Sequence, residues 1–353
     1  MATSFHKILI RSTNWLGDAL LTTPAIHRLK THFPEAELTV LSRPGVAQVF
    51  EANPDVRQVI PYENRGRHRG IRGKWLLAKA LKQEHFEIVV HFPHSFESAW
   101  ISFLSGIPVR VGYATEGRGR LLTQAKPLPP GFNEQHQVLS FMQLLEGLGI
   151  REIPDPERHP LRLRVAENWK DQAGRRLSSF GVTADDPVIG LAPGAQYGPA
   201  KCWPFSAYKK LAERIQDQQG VRVILLGTAR DALGAVPGGG KIPQRPFINL
   251  LGQTALGEAL ALVERCQAVV SNDSGLMHVA AALNRPLVAL FGSTSPERTG
   301  PWGGTSRVIR KPFPCSPCFR KECREPRFCM EAIAVDEVWE ALEALTKNSY
   351  GFI

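Results

Sequence analysis

The stretch from residue 266 to residue 292 constrains the fold more than any other part of the sequence. It reads Cys-Gln-Ala-Val-Val-Ser-Asn-Asp-Ser-Gly-Leu-Met-His-Val-Ala-Ala-Ala-Leu-Asn-Arg-Pro-Leu-Val-Ala-Leu-Phe-Gly. The apolar runs at 268–270 and 287–291 predict two buried strands, and the polar residues 272–275 predict a turn that starts a short apolar helix. A strand–helix–strand unit of this kind predicts a parallel sheet.

The start of that helix is the first candidate binding site. It follows the carboxyl end of a strand, which is where open α/β sheets bind ligands. Free backbone N–H groups at a helix start favour a phosphate, Gly275 allows close approach, and His278 lies near enough to face the same anion. The alternative is that Asp273 or Ser274 only caps the helix and that His278 is a buried structural histidine.

The remainder of the chain repeats the same alternation of elements. Short apolar strands alternate with helical stretches up to residue 148, and the alternation restarts at Val188. The Pro-rich, charged segment 150–162 predicts a linker between the two series. We therefore expect an α/β protein of two doubly wound domains, with the carboxyl edges of both sheets lining a cleft. The expected division is 1–160, 161–334, and a C-terminal helix in 335–353 that packs back on the first domain.

Charge and composition limit the classes of partner and compartment. The net charge of +10 suggests an acidic partner, namely nucleic acid, an anionic membrane or a phosphorylated substrate. No apolar run has the length of a membrane span or of a signal peptide, so we expect a cytoplasmic protein. Six cysteines in a chain of 353 residues do not make a secreted disulfide framework.

The first half contains two further candidate features. Asp18 lies at a helix start after the first strand, where it is either a cap or a base at the edge of a cleft. Residues 64–74, Asn-Arg-Gly-Arg-His-Arg-Gly-Ile-Arg-Gly-Lys, form a basic, glycine-rich loop without an acidic residue. This loop is either solvated or binds an anion near the sheet edge. Its cations are Arg65, Arg67, Arg69, Arg72 and Lys74.

The second half carries a lysine on a glycine- and proline-rich loop that follows its first strand. Gly194, Gly198 and Lys201 are residues that let a backbone and an ammonium group approach a phosphate. The segment has no Gly-Lys-Ser/Thr sequence, so it is not a P-loop, and no Gly-x-Gly-x-x-Gly follows a first strand, which disfavours a dehydrogenase.

Three segments taken together, 11–18, 193–204 and 272–283, resemble the ADP-heptose:lipopolysaccharide heptosyltransferases, and the similarity extends over both halves. The resemblance implies a GT-B fold, with the acceptor in the first domain and the nucleotide sugar in the second. It further implies that heptose moves, with inversion and without a required metal, from ADP-L-glycero-D-manno-heptose to the inner-core heptose of lipopolysaccharide (heptosyl-Kdo2-lipid A). This is the reaction of the branch of the family that adds the second heptose.

The resemblance also assigns expected roles to residues. Asp18 is similar to the family's general base, and Lys201 to the residue that holds the leaving diphosphate. Asp273, Ser274, Gly275 and His278 match the segment that binds the diphosphate and the sugar, and Gly227, Thr228 and Thr254 lie where the family seats adenosine. The basic loop would bind the anionic acceptor, with peripheral contact to the inner face of the cytoplasmic membrane. No cofactor is expected.

One feature and three alternatives stay open at this point. Cys315, Cys318, Cys323 and Cys329 suggest zinc by their density, but cysteines also serve as small buried hydrophobic residues, and the expected chemistry needs no metal. The alternatives are a first-heptose transferase of the same family, a nucleotide-sugar epimerase of similar fold, and a basic nucleic-acid-binding protein. No RNA- or DNA-binding motif is present, so no nucleic-acid partner is expected.

Overall fold

The computed structural model describes residues 4–151, 154–218, 220–231, 246–323 and 328–347. The chain forms two compact units, Met1–Arg164 and Val165–Ile353. Each unit is built on a six-stranded parallel sheet with helices between successive strands. The predicted boundary after residue 160 lies close to this division.

The sheet of the first unit has the order β3-β2-β1-β4-β5-β6. Its strands are β1 (Lys7–Arg11), β2 (Glu37–Ser42), β3 (Gln58–Pro61), β4 (Ile88–His91), β5 (Val109–Tyr113) and β6 (Gln124–Lys126). Its helices are α1 (Leu16–Leu21), α2 (Thr23–His32), α3 (Pro44–Glu51), α4 (Gly70–Gln83), α5 (Phe96–Leu104) and α6 (Gln137–Leu144). The order of strands reverses between β1 and β4, which is the switch point at which doubly wound sheets bind ligands.

The sheet of the second unit has the order β12-β11-β10-β7-β8-β9 and reverses between β7 and β10. Its strands are β7 (Val188–Ala192), β8 (Arg222–Leu225), β9 (Ile248–Asn249), β10 (Ala268–Asn272), β11 (Leu287–Phe291) and β12 (Ser306–Arg310). Its helices are α7 (Glu167–Ser178), α8 (Phe205–Gln216), α9 (Leu256–Arg265), α10 (Gly275–Ala282), α11 (Pro296–Thr299), α12 (Phe328–Glu331) and α13 (Val335–Lys347).

The central strands form as predicted because they are apolar along their whole length. Every residue of β7, β10 and β11 is buried, as expected for strands with helices on both faces of a parallel sheet. The predicted strand–helix–strand unit is therefore confirmed, and so is the doubly wound α/β class. The elements β6, β12 and α7 were not predicted, since they are short or polar. Helix α5 was not predicted either, although Phe96–Leu104 is largely apolar.

The sequence of residues 19–29 predicts one helix with an early proline, but the structure forms two helices that meet at Thr22. Pro24 is the second residue of α2 and has no N–H to donate to the carbonyl of Leu20. The hydroxyl of Thr23 donates to that carbonyl oxygen in its place, at 2.6 Å. The break leaves α1 as a short helix of its own directly after β1.

The C-terminal helix α13 packs within the second unit. Val338, Trp339 and Leu342 are buried in the same core cluster as Trp203 and Tyr208. Its apolar face is thus buried in the core of the second unit. Residues 348–353, the end of the predicted C-terminal segment, lie outside the described part of the chain. No helix among the described residues is long and apolar enough to cross a membrane.

Candidate functional site

At the switch point of the second sheet, Asn272 joins the ends of two strands. Its side chain is fully buried, and its amide nitrogen donates to the carbonyl of Pro193, just beyond β7, at 2.7 Å. Its side-chain oxygen accepts from the backbone N–H of Trp203 at 3.0 Å and from the hydroxyl of Tyr208 at 3.1 Å. Asn272 therefore holds the loop that carries Lys201 against the end of β10.

Beside this junction, Lys201 and Asp273 form an ion pair that is almost excluded from water. The Lys201 Nζ lies 2.5 Å from Asp273 Oδ2, and the two side chains are 12% and 4% exposed. The same carboxylate oxygen accepts hydrogen bonds from the hydroxyl of Thr294 at 2.6 Å and of Thr299 at 3.4 Å. Both residues were predicted from the sequence, and the structure brings them into contact.

The loop that carries Lys201 is hydrogen-bonded to the backbone of the segment 319–321. The backbone N–H of Ala200 donates to the carbonyl oxygen of Lys321 at 3.1 Å. The hydroxyl of Tyr197 donates to the carbonyl oxygen of Phe319 at 2.6 Å. At Gly198 an added Cβ would meet the Lys321 carbonyl oxygen at 2.2 Å, so only glycine fits there. Glycine is required at position 198 because two backbone segments approach closely there, and not because a phosphate has to approach the backbone.

The first turn of α10 lies at the same sheet edge, and the first backbone N–H groups of a helix have no partner within the helix. Ser274 is the N-cap residue, but its side chain makes no capping hydrogen bond; its hydroxyl lies 3.1 Å from that of Ser271. The alternative that the Ser274 side chain only caps the helix is therefore wrong. Gly275 is half-buried at the start of the helix, and His278 is buried in its first turn.

A carboxylate that the sequence analysis did not select lies at the ends of β7 and β8. Asp231 Oδ2 accepts from the backbone N–H and from the hydroxyl of Thr228, both at 2.7 Å. A Cβ added to Gly194 would meet the carboxyl carbon of Asp231 at 2.0 Å, and one added to Gly227 would meet its Oδ2 at 2.9 Å. The two glycines thus make room for Asp231. An acidic residue shortly after the second strand of a doubly wound half was the signal that could have identified it.

The last residue predicted for this unit, Thr254, is half-buried in the loop before α9, two residues after Gly252. The backbone of that loop pairs with the loop after β8, because the N–H of Gly252 donates to the carbonyl of Gly227 at 2.9 Å. The predicted positions of the second half therefore follow the carboxyl ends of neighbouring strands of one sheet.

In the first unit, Asp18 lies in the first turn of α1, half-buried, directly after the loop that follows β1. A carboxylate at this position is stabilised by the positive end of the helix. The sequence predicted this helix start after β1, and the strand order places it at the switch point of the first sheet.

A buried arginine dominates the same edge of the first sheet. Arg11, the last residue of β1, is 4% exposed, and its guanidinium lies over the ring of Tyr62 at 4.8 Å from the centroid. Burial lowers the pKa of Arg11 to about 10.

Glu97 joins Tyr62 to Lys74 beside this arginine. The Tyr62 hydroxyl donates to one Glu97 carboxylate oxygen, and the other oxygen lies 2.5 Å from the Nζ of Lys74. Burial opposes the ionisation of Glu97, but the hydrogen bonds from Lys74 and Tyr62 outweigh it and lower its pKa.

The basic loop is shorter than predicted, because its last residues form the first turn of α4. A Cβ at Gly73 would meet the backbone of His68 at 2.6 Å, so this glycine lets α4 pack closely against the loop. Lys74 is engaged with Glu97, and Arg67 pairs with Glu63 at 3.3 Å. The first turn of α4 contains no acidic residue, and the loop's arginines are all exposed: Arg65, Arg67, Arg69 and Arg72.

The four clustered cysteines lie in and beside the segment that holds the Lys201 loop. All are free thiols; Cys315 and Cys323 are exposed, and Cys318 and Cys329 are half-buried. Burial raises the pKa of Cys329, and the neighbouring thiols raise it further. In the described part of the chain, no three His, Cys, Asp or Glu side chains are arranged to hold a metal ion.

Comparison with known proteins agrees with this architecture. The model of glycosyltransferase family 9 (heptosyltransferase) matches residues 74–328. Lipopolysaccharide heptosyltransferase 2 of Escherichia coli (strain K12) is 34% identical over 311 residues, which is 86% of this chain and 88% of that protein.

Two solved structures are similar over nearly the whole chain. That of E. coli ADP-heptose lps heptosyltransferase II superposes with a TM-score of 0.77 at 31% identity, covering 97% of this chain and 99% of the other. That of a family 9 glycosyltransferase from Veillonella parvula DSM 2008 gives a TM-score of 0.84 at 25% identity, covering 99% of each chain. The expected GT-B type of α/β fold is confirmed. From the family match, the identity and the shared fold together, the chain belongs to glycosyltransferase family 9, the heptosyltransferases.

Proposed function

We propose that this protein transfers heptose from ADP-L-glycero-D-manno-heptose to the inner-core heptose of lipopolysaccharide, with inversion at the anomeric carbon. The observation that carries the proposal is the Lys201 ammonium beside the uncapped start of α10, at the switch point of the second sheet. The 34% identity to a lipopolysaccharide heptosyltransferase 2 supports this choice of donor and acceptor.

In the proposed reaction, the second unit binds the donor and stabilises its leaving group. As the bond between the anomeric carbon and the phosphate oxygen breaks, ADP gains negative charge. An ammonium group and the backbone N–H groups of a helix start stabilise that charge without reorganising. Lys201 and the amides at Ser274 and Gly275 supply these groups. Asp273 is itself anionic, so its role is to hold Lys201 and to accept from sugar hydroxyls rather than to bind phosphate.

The adenosine side of the donor fits the ends of β8 and β9. Gly227, Thr228 and Thr254 line this side in the proposal, with Asp231 added from the structure. A carboxylate after the second strand of a doubly wound half accepts hydrogen bonds from ribose hydroxyls. Asp231 Oδ2 is already used by Thr228, which leaves the other carboxylate oxygen for the ribose.

The first unit supplies the base and binds the acceptor in this proposal. Asp18 takes the proton from the acceptor hydroxyl as its oxygen attacks the anomeric carbon. The attack comes from the face opposite the ADP, whose bond breaks as the glycosidic bond forms, and this single displacement inverts the carbon. The exposed arginines of the basic loop bind the carboxylates and phosphates of the acceptor. Since that acceptor carries a lipid, contact with the inner face of the cytoplasmic membrane belongs to the proposal.

The decisive experiment mixes the purified protein with ADP-heptose and heptosyl-Kdo2-lipid A and looks by mass spectrometry for one added heptose. Kdo2-lipid A is offered in a parallel reaction, and its preferential use would mean a first-heptose transferase. Consumption of the ADP-sugar without any acceptor would mean epimerase or hydrolase chemistry. EDTA is added to a third reaction, in which transfer should continue because Lys201 and α10 carry the leaving-group charge.

A further inference from the structure

Helix α4 presents an apolar surface to solvent as well as to the core. Gly73, Leu77, Ala78 and Leu81 face the interior of the first unit. On the other side, Ile71 is 77% exposed, Trp75 52% and Leu76 48%. A helix that only covers a sheet is polar on its outer face, so packing of the fold does not explain these three side chains.

The segment that contains this outer face is strongly cationic. From Asn64 to Gln83 the sequence contains seven Lys and Arg residues and no Asp or Glu. Lys79 and Lys82 are exposed beside the apolar residues, and the Nζ of Lys79 lies 5.8 Å from the ring centroid of Trp75. Within the described residues, neither lysine forms an ion pair. At 100° per residue, the apolar and cationic side chains fall on one half of the helix.

We propose that the outer face of α4, formed by Ile71, Trp75, Leu76, Lys79 and Lys82, docks on the surface of an anionic lipid bilayer. An apolar face flanked by lysines, with a tryptophan, is the pattern of helices that lie in the membrane interface. The apolar side chains enter the boundary between headgroups and acyl chains, and the lysines contact lipid phosphates. The proposal deepens the proposed function and rests on it only for the lipid nature of the acceptor.

The charge distribution argues for a bilayer over a second copy of this chain. In a symmetric dimer the same face of each copy meets its partner, so the lysines and arginines of the two copies would be brought together without acids between them. An anionic lipid surface instead attracts each cation. Charge complementarity thus selects the bilayer as the occupant of this face.

The test measures cosedimentation of the full-length protein with vesicles of phosphatidylethanolamine and phosphatidylglycerol, compared with vesicles of phosphatidylcholine alone. We expect binding to the anionic vesicles and little to the neutral ones. The variant Ile71→Gln/Trp75→Gln keeps helix propensity and should lose at least about tenfold in binding, because it removes the inserted apolar groups. Lys79→Gln/Lys82→Gln should lose about fivefold per lysine at low salt and less at high salt.

The matched control is Phe180→Gln/Val308→Gln, which removes two exposed apolar side chains of the second unit and should leave vesicle binding unchanged. Failure of the wild-type protein to bind anionic vesicles would overturn the proposal, as would equal losses in the control and the α4 variant. A change in oligomeric mass of the α4 variant by light scattering, with vesicle binding kept, would assign the face to a second copy instead.

A final arm separates this inference from the proposed function. The Ile71→Gln/Trp75→Gln variant should transfer heptose normally to a water-soluble acceptor without acyl chains and slowly to the same acceptor embedded in anionic vesicles. If no acceptor is used by any variant, the proposed transfer reaction fails while the vesicle measurements still decide the docking surface. Equal loss of activity on both acceptors would mean that α4 serves the reaction directly, against the proposal.

Discussion

The ammonium of Lys201 and the carboxylate of Asp273 lie 2.5 Å apart although 72 residues separate them in the chain. The pair is buried, and a buried pair that loses one partner leaves an uncompensated charge. Asp273 therefore fixes the position of the Lys201 ammonium before a donor binds. The two threonines that donate to Asp273 fix the carboxylate in turn.

Lys201→Ala should raise the donor KM and slow transfer, with a loss in kcat/KM on the order of 100- to 1000-fold, because the leaving ADP loses its cation. Steady-state kinetics with ADP-heptose measure both parameters. Lys209→Ala is the matched control, since that lysine is exposed on α8 and pairs with Glu213 one helical turn away. Unchanged kinetics in the Lys201 variant would remove it from leaving-group stabilisation.

Asp18→Asn should abolish turnover while ADP still binds, because the amide cannot accept the proton of the acceptor hydroxyl. Loss of a general base costs on the order of 100- to 10,000-fold in rate. Turnover by mass spectrometry and ADP binding by calorimetry are measured on the same preparation. Glu35→Gln, which removes an exposed carboxylate of the first unit, should behave as wild type. Near-normal turnover in Asp18→Asn would exclude it as the base.

Replacing Arg65, Arg67, Arg69 and Arg72 by alanine should raise the acceptor KM, by about fivefold for each cation that contacts the anionic acceptor. The effect should be larger at low salt, where charges are screened less, and the donor KM should barely change. Lysine at the same positions, which keeps the charge, should restore most of the affinity. A rise in donor KM without one in acceptor KM would mean that the two units were assigned the wrong way round.

Gly198→Ala should weaken donor binding and destabilise the second unit by about 1–3 kcal/mol, because the new methyl group collides with the Lys321 backbone and displaces the Lys201 loop. Urea unfolding and the donor KM are the two measurements. Gly174→Ala is the control: nothing lies within 4 Å of its added Cβ, and it should stabilise α7 by about 0.5–1 kcal/mol. Normal donor binding by Gly198→Ala would show that donor binding does not depend on the contact between the Lys201 loop and the Lys321 backbone.

Acid should destabilise the protein through His91, the last residue of β4. Burial, followed by the nearby Arg118, Arg11 and Arg110, lowers its pKa well below 6.5. The folded ring is therefore neutral, and its Nε2 lies 2.9 Å from the hydroxyl oxygen of Ser102. Below pH 6.5 the unfolded chain binds a proton that the folded state does not, so stability is full above that pH and falls below it.

The expected slope from His91 is about 1.4 kcal/mol per pH unit below its unfolded pKa. The free energy of unfolding in urea is measured at several values between pH 7 and pH 5. His91→Gln should show a flatter dependence, whatever its absolute stability. Equal slopes for the two proteins would contradict a neutral, buried imidazole in the folded state.

The sequence determined the strands and the residue types at their carboxyl ends, because these depend on local properties. Continuous apolar runs such as β10 and β11 can be satisfied only inside a parallel sheet, and Lys201, Asp273 and Asp18 could be selected because strand ends in such sheets carry the ligands. Elements whose apolar signal is weak, such as α7 and β12, were missed for the same reason.

Only the tertiary structure decided which of these side chains meet. The pairing of Lys74 with Glu97 turns a predicted acceptor ligand toward its own unit, and the fit of Asp231 against Gly194 adds a carboxylate that the sequence analysis did not select. The tertiary structure also decided which side of α4 is buried, because its sequence is apolar on two sides. Packing against the first sheet buries one side and leaves Trp75 in solvent. Contacts between residues far apart in the chain depend on how strands and helices stack, and periodicity along the chain carries no record of them.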